Sequence, residues 1–308
     1  TVIAPVCAAA PSIVTNPSPQ TVTAPATATF TAAGSTPANC AAPTVQWSSE
    51  APGATSFTPI TGATSTSFTT PATTTAQNGT EYAATFTNAF GFTTTAAATL
   101  TVNASGPKID AKVTATGTST ATVSLSTPTA GDLVVAFVAG DGPSSGGQTA
   151  TVSGGALTWT LVGRTNTELG TSEIWSARAT GTLSSAAIKA SLTKTSGYMM
   201  SLTVVAYSGA SGVGADKSAS ASTGAPTASL TTTQAGSWVF AVGNDRDEAI
   251  DRTLGPNQTL VSEATDSAGD TFWVQSTNTP TAAAGTVVTI NDTAPTSDRW
   301  NLELIEIL

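Results

Sequence analysis

The sequence predicts an all-β protein, and three observations support this fold class. Threonine, serine, alanine, glycine and valine dominate the composition, and a β-branched, threonine-rich chain favours strands over helices. No window of about 12 residues combines helix-forming side chains with a 3.6-residue apolar period. Short alternating segments are instead separated by many of the 27 glycines and 17 prolines, as in β-sandwiches with frequent turns. The 308 residues suffice for two or three such units.

The first recognisable unit covers residues 11–103, after an N-terminal arm at 1–10. Its segments with strand character are TATFTAA, PTVQWSS, TSFTT, NGTEYAATFTNAFG and TAAATLTV. Together they resemble the immunoglobulin-like repeats of large bacterial secreted and surface proteins. The resemblance implies a sandwich in which Trp47 is the buried tryptophan of strand C and Tyr82 is the tyrosine corner at strand F. Domains of this type act as spacers or bind partners and rarely catalyse.

The rest of the chain, beyond the short linker NASGPK, contains an internal duplication. Residues 110–142 align with 215–247, and three further blocks follow in the same order at an offset of about 98 to 105 residues. In this alignment Trp175 lies over Trp273. We therefore predict two copies of a β unit, 107–210 and 213–308, each with about seven strands. Two separate sandwiches are favoured over two halves of one jelly-roll-like domain.

The second copy carries a group of acids directly after an apolar strand, in the stretch AGSWVFAVGNDRDEAID (235–251). The aligned strand of the first copy is followed by only one acid, Asp141. The other acids are therefore additions to a strand and loop that also fold without them. Three interpretations are open: a solvated loop with ion pairs to Arg246 and Arg252, a calcium site, and a glycosidase-like pair of carboxylates. Ion pairing is favoured. The candidate calcium ligands are Asp245, Asp247, Glu248 and Asp251.

Composition excludes or disfavours several classes of function. The chain has no histidine and only two cysteines, which excludes a Ser–His–Asp triad, a Cys–His pair and zinc held by histidines or four cysteines. It has no phosphate-binding glycine loop of the known types. A net charge of −9 disfavours nucleic acid and anionic membrane as partners, and no apolar stretch is long enough for membrane insertion. We expect no enzymatic activity and no cofactor other than calcium.

The two cysteines indicate where the protein works. Cys7 and Cys40 lie in irregular sequence rich in alanine and proline, and we predict a disulfide between them. Such a bond is typical of an oxidising, extracellular compartment. The first residue is Thr1, as expected of a mature product after removal of a signal peptide. The predicted location is therefore extracellular, at the cell surface.

The N-terminal arm is a candidate for assembly. Val2, Ile3 and Val6 lie in an uncharged segment of extended character, which could pair with a neighbouring subunit as an added strand. The last strand, RWNLELIEIL, is the expected docking place, and its break in alternation at Leu304–Ile305 is typical of a bulge or of a strand covered on both faces. The alternative is that the arm pairs within its own unit.

These observations favour an extracellular structural protein, a subunit of a surface filament or surface layer that associates with itself. The alternative is a carbohydrate-binding or adhesion module that recognises surface glycans. Such modules stack sugars on exposed aromatic side chains. The recurrence of tryptophan at one position of the duplicated unit instead favours core roles for the tryptophans. The six tryptophans are Trp47, Trp159, Trp175, Trp238, Trp273 and Trp300.

Overall fold

The computed structural model of the protein describes residues 8–37, 40–103 and 105–308. The chain divides into two units between Ser105 and Gly106. Within the described residues the regular structure is β-strand, apart from one turn of 3₁₀-helix at Thr75–Gln77. The prediction of an all-β protein is therefore confirmed.

The N-terminal unit forms two packed layers of short strands, β1 to β10. Their bounds are β1 (Ser12–Thr15), β2 (Gln20–Thr23), β3 (Thr29–Thr31), β4 (Ala33–Ser35), β5 (Thr44–Glu50), β6 (Thr58–Pro59), β7 (Ser67–Thr69), β8 (Glu81–Asn88), β9 (Gly91–Thr94) and β10 (Ala98–Asn103). One sheet has the order β2-β10-β8-β5-β6, with β2 parallel to β10. β3 pairs with β7, and β1 pairs with β4. Strands C, F and G in one sheet facing B and E in the other define an immunoglobulin-like sandwich, with β5, β8 and β10 as C, F and G.

An aromatic cluster fills the core of this sandwich. Trp47 on β5 is fully buried and Tyr82 on β8 is 4% exposed, as predicted for strands C and F. The Tyr82 ring stacks on Phe30 with centroids 4.7 Å apart, and Phe68 packs against both Trp47 and Tyr82. Ala84 is fully buried two residues after Tyr82, where antibody domains carry the second cysteine of the inter-sheet disulfide. Aromatic packing therefore takes the place of that bridge.

The C-terminal unit consists of sixteen described strands in two sets of eight. The first set is β11 (Lys108–Thr118), β12 (Thr120–Leu125), β13 (Leu133–Gly140), β14 (Ala150–Gly154), β15 (Thr160–Thr165), β16 (Thr171–Arg178), β17 (Ala186–Leu192) and β18 (Met199–Ser208). The second set is β19 (Val213–Ala221), β20 (Thr227–Thr231), β21 (Trp238–Asp245), β22 (Thr253–Leu254), β23 (Gln258–Thr265), β24 (Thr271–Thr277), β25 (Val287–Ala294) and β26 (Trp300–Ile307). We call these sets the first repeat and the second repeat.

The two repeats have the same topology. Each has a five-stranded sheet, β11-β18-β13-β16-β15 or β19-β26-β21-β24-β23. Each also has a three-stranded sheet, β12-β17-β14 or β20-β25-β22. Even the bulge is repeated, after Leu161 in β15 and after Leu260 in β23. Each repeat thus contains eight strands, one more than expected, because the short strands β14 and β22 join the small sheet.

Both repeats belong to one compact unit of four layers. A core lies between the large and small sheets of each repeat. A third core lies between the two large sheets, where Phe137 stacks on Phe240 with centroids 5.8 Å apart and Tyr207 meets Phe240 edge-on. Successive side chains of β13 alternate between the first repeat's own core and this shared core. The large sheets are therefore buried on both faces: each repeat is a sandwich with its own core, as favoured from the sequence, and the two sandwiches pack together through their large sheets.

The register of β16 and β24 corrects the sequence alignment of the tryptophans. Ala136 lies opposite Trp175, whereas the equivalent Ala241 lies opposite Gln275. Trp273 instead occupies the position of Glu173 in the first repeat. The prediction that the two tryptophans are equivalent is wrong by two residues. A shift of two keeps a side chain on the same face of a strand, which is why the alternation in the sequence did not reveal it.

The last strand is also not the expected docking place. β26 is an interior strand, paired with β19 on one side and β21 on the other, so it has no free edge to accept another strand. Its eight residues are all buried. Of the two explanations for the broken alternation at Leu304–Ile305, double coverage is the correct one. Leu304 faces the second repeat's own core and Ile305 faces the shared core.

Candidate functional site at the acidic end of the C-terminal unit

Charge in the C-terminal unit concentrates near the ends of β21, β23 and β25 and in the loops that follow β13, β21, β23 and β25. Ten of the chain's 19 acids lie there with only three of its 10 basic residues. We call this group the acidic end. It comprises Asp141, Asp245, Asp247, Glu248, Asp251, Glu263, Asp266, Asp270, Asp292 and Asp298, with Arg246, Arg252 and Arg299.

The two equivalent strand ends of the repeats meet at this site. Asp141 follows β13 of the first repeat, and Arg246 follows β21 of the second. Arg246 Nε donates to Asp141 Oδ1 over 2.7 Å. Asp141 is 6% exposed, and burial, only partly opposed by Gly142 and Arg246, raises the pKa of its carboxyl. The sequence predicted Arg246 as a partner for the acids of its own loop, but its partner belongs to the other repeat.

The structure does not bring the four predicted calcium ligands together. Asp245 is buried and paired with Arg252, whereas Asp247 accepts a 2.8 Å hydrogen bond from Arg299 Nε. Glu248 and Asp251 are exposed. Across the described ranges, no group of three or more acidic, cysteine or histidine side chains is arranged to hold a metal ion. The favoured interpretation, a solvated loop with ion pairs to Arg246 and Arg252, holds in part: Asp245 pairs with Arg252 but is buried, and Asp247 pairs with Arg299 instead.

Arg252 is the centre of the buried part of the site. Its guanidinium contacts Asp245 and lies over the Trp273 ring, 4.2 Å from the centroid, and its backbone N–H donates to Glu263 Oε1 over 2.7 Å. A guanidinium over an indole face is a favourable cation–π arrangement. Burial raises the pKa of Asp245 to about 7, and Arg252 opposes this rise. The buried arginine thus compensates only part of the surrounding negative charge.

A second cluster lies in the turn between β23 and β24. Asp266 Oδ1 accepts hydrogen bonds from the backbone N–H groups of Ala268, Gly269 and Asp270, at 2.8, 3.1 and 3.0 Å. Asp266 Oδ2 and both carboxyl oxygens of Asp270 are buried and accept no hydrogen bond from a donor group of the described residues, and the two carboxyls lie within hydrogen-bonding reach of each other. Burial, together with the nearby charges of Asp141 and Asp266, raises the pKa of Asp270 to about 8. Sequence reasoning missed this pair, although two aspartates flanking a Ser-Ala-Gly turn were visible.

Two further buried acids are Glu173, inside the first repeat, and Glu303, at the junction between the repeats. Glu173 accepts hydrogen bonds from Arg164 Nε over 2.8 Å and from Trp175 Nε1 over 2.9 Å. Glu303 Oε2 accepts from Thr165 of the first repeat and Ser218 of the second, both over 2.6 Å. Both glutamates are fully buried. A glutamate inside an apolar strand was the available signal, because a buried carboxylate requires a partner.

The predicted residues of the N-terminal arm fall outside the described ranges. This applies to Val2, Ile3, Val6 and Cys7. The Cys7–Cys40 disulfide and the assembly role of the arm therefore stay predictions.

Burial limits what the acidic end can do chemically. Asp270 and Asp292 are 1% and 3% exposed, so a substrate would not reach them as it reaches the paired carboxylates in a glycosidase cleft. Carboxylates crowded in this way bind protons or cations. The site is therefore suited to holding charge between the repeats.

Comparisons with known proteins complete the description. No protein-family model matches the chain, and no curated protein matches it. Among solved structures, titin domains Z1Z2 in complex with telethonin align at 17% identity over 60% of this chain and 94% of that chain, with a TM-score of 0.24. Sidekick-1 immunoglobulin domains 1–5 align at 14% identity over 92% and 58%, with a TM-score of 0.26. At such scores the fold assignment depends on the chain's own strands and sheets.

The tryptophans are not uniformly core residues. Trp47, Trp273 and Trp300 are buried, whereas the other three are only half-buried: Trp159, Trp175 and Trp238.

No described helix has the length and apolar character needed to cross a membrane.

Proposed function

We propose that this protein is an extracellular structural protein, a subunit of a surface filament or surface layer, as the sequence led us to expect. The supporting observation is the junction between the repeats. An apolar core and a group of hydrogen-bonded polar side chains join the two large sheets. Such a junction makes two repeats one stiff block, which suits load-bearing or spacing better than catalysis.

The polar region of this junction is extensive. Ser172 donates to Asn244 Oδ1 over 3.2 Å and to the Asn301 carbonyl over 3.1 Å. Asn244 Nδ2 donates to the Leu169 carbonyl over 3.0 Å. These groups are buried and find partners across the repeats, so separating the repeats would leave them unpaired at a cost of about 1–3 kcal/mol each. We infer that the block stays intact under conditions outside a cell.

Self-association through the N-terminal arm is part of this proposal. The first described residues lie beside β9, because Asn88 Nδ2 donates to the Ala9 carbonyl over 2.9 Å and Thr93 Oγ1 to the Pro11 carbonyl over 2.6 Å. Four large apolar side chains of the same unit are exposed, namely Phe57 (39%), Phe90 (51%), Phe92 (69%) and Val14 (64%). Exposed apolar groups of this kind often mark an interaction surface. Since β26 has no free edge, the arm would have to add to a different strand.

The test is assembly of the full chain against a chain that lacks residues 1–6. We expect the full chain to form filaments or sheets in electron microscopy and a large species in light scattering, and the shortened chain to remain monomeric with a nearly unchanged melting temperature. Val287→Ser, which removes an exposed valine from the second repeat (67% exposed), is the control and should assemble normally. Assembly of the shortened chain, or a monomeric full chain at every concentration, would exclude the arm mechanism.

Glycan binding is the second candidate, and one cavity favours it. Half-buried Trp238 lines a cavity of about 300 Å³ together with Ile109, Leu260 and Asn278. A second cavity of about 280 Å³ continues past Trp238 and Ile109. An indole face beside amide and hydroxyl groups suits a sugar ring. Affinity electrophoresis in polysaccharide gels should show retardation that Trp238→Ala removes and Trp159→Ala keeps, and equal retardation of both variants would argue against this cavity.

A further inference from the structure

The turn between β23 and β24 holds carboxylate oxygens that the protein itself leaves unpaired. Asp270 is 1% exposed, and its carboxyl oxygens accept no hydrogen bond from a donor group of the described residues; the Asp266 carboxyl lies within hydrogen-bonding reach of it. Asp266 Oδ2 is also buried and also accepts no hydrogen bond from a donor group. A buried, unpaired carboxylate costs several kcal/mol unless it is neutralised or coordinated. Three such oxygens within one short turn therefore need a further partner.

The neighbouring cations of the protein do not supply that partner. Arg246 is the nearby basic residue, and its ion pair is with Asp141. Arg252 pairs with Asp245, and Arg299 pairs with Asp247. The backbone N–H groups of Ala268, Gly269 and Asp270 are directed to Asp266 Oδ1. The remaining oxygens of Asp266 and Asp270 thus have only each other among the described side chains, and a shared proton or a cation from solution can satisfy them.

The charge of the surroundings favours a cation. The acidic end holds ten acids and three arginines, and a cleft of one charge sign concentrates counter-ions. Hard divalent cations take carboxylate, carbonyl and water oxygens, and Ca²⁺ tolerates irregular coordination better than Mg²⁺. Because no three acids of the described chain are arranged around one point, water and backbone oxygens would have to complete the shell.

We propose that Asp266 and Asp270 bind one Ca²⁺ ion. The ion enters through the half-buried Asp266, since the adjoining Ser267 and Ala268 are exposed. It offsets the repulsion among Asp266, Asp270 and Asp141. Because Asp141 belongs to the first repeat, bound Ca²⁺ stabilises the junction between the repeats. With two protein carboxylates, we expect the weak affinity of extracellular modules, with a Kd of about 10⁻⁴–10⁻³ M. This site is independent of filament formation.

The experiment is thermal unfolding of the full chain with and without CaCl₂, together with calorimetric titration. At about 10 mM CaCl₂ we expect the melting temperature of the parent protein to rise by roughly 3–8 °C, and EDTA should reverse the rise. Asp270→Asn should be at least as stable as the parent without calcium, because it replaces a buried acid whose ionised form is disfavoured by burial and by Asp141 and Asp266, and it should not respond to calcium. Asp266→Asn keeps an oxygen for the backbone N–H groups and should also lose the response.

Matched controls make the proposal falsifiable. Asp251→Asn removes an exposed carboxylate from the same acidic end and should keep the full calcium response. An absent response in the parent protein would overturn the proposal, and so would an equal response in Asp270→Asn. A rise produced equally by NaCl at matched ionic strength would indicate general screening and would also overturn it.

Discussion

The first and second repeats share eight strands and one sheet order, yet they bury charge in different ways. The first repeat places Glu173 on β16, where Arg164 of β15 and Trp175 both donate to it. In the second repeat the position of Glu173 is taken by Trp273, and the position of Arg164 by Glu263. The compensating arginine comes instead from a loop, as Arg252. Both repeats use an arginine, a glutamate and a tryptophan, but on different positions of one backbone frame.

The junction itself repeats with the roles of the two copies exchanged. Ser262 of the second repeat hydrogen-bonds Thr203 of the first over 2.7 Å. The equivalent pair with the copies exchanged is Gly163 with Glu303, where a Cβ on the glycine would overlap Glu303 Oε1. In one half of the junction the small Gly163 faces the large Glu303. In the other half Ser262 and Thr203, both of medium size, face each other. The duplicated strands therefore diverged as matched pairs, because packing density at a buried junction is fixed.

The largest expected difference between the two repeats is the stability cost of replacing Trp273 or Trp175. Trp273→Ala should cost about 3–5 kcal/mol of unfolding free energy, because Trp273 is 1% exposed and supports Arg252. Trp175→Ala should cost clearly less, since Trp175 is half-buried. Urea unfolding of the two variants measures the difference. Equal costs would mean that the two-residue register shift does not affect packing.

The pair Gly163 and Glu303 tests whether residues that face each other at the junction depend on one another. Gly163→Ser and Glu303→Thr should each destabilise the protein, the first by overlap with Glu303 and the second by removing the partner of Thr165 and Ser218. The double variant copies the Ser262–Thr203 half of the junction. It should recover about 0.5–3 kcal/mol relative to the sum of the single effects. Strict additivity in urea unfolding would contradict the matched-pair account.

The smallest expected effect concerns pH. Burial raises the pKa of Asp292 to about 7 and that of Asp132 to about 6. Because these values lie above the unfolded value of about 3.9, the folded chain binds extra protons, and stability falls as pH rises from about 4 to 7. Asp292→Asn should flatten this fall and stabilise the protein at pH 8. Urea unfolding at pH 5 and pH 8 checks it, and an unchanged pH slope in the variant would refute the assignment to Asp292.

The local pattern of the sequence was enough for the fold class, the immunoglobulin-like unit and the duplication. Alternation and turn residues act over a few positions, so they located β5 around Trp47 and β8 around Tyr82. The repeat alignment also placed Leu161 over Leu260 in agreement with the shared bulge. These features depend on strand propensity and on the periodicity of apolar side chains. Both are properties of residues that lie close together in the sequence.

Only the tertiary structure determines which element packs against each face of a strand and which side chain each charged group pairs with. The sequence marked Asp245 and Arg246 as a charged loop, but Arg246 pairs with Asp141 about a hundred residues away. A local turn brings Asp266 and Asp270 together, but their proximity to Asp141 of the first repeat depends on the packing of the two repeats. Double coverage of β26 likewise depends on a sheet from the other repeat. A period of two residues records which side chains share a face, but the partner of that face is set by long-range packing that no local pattern contains.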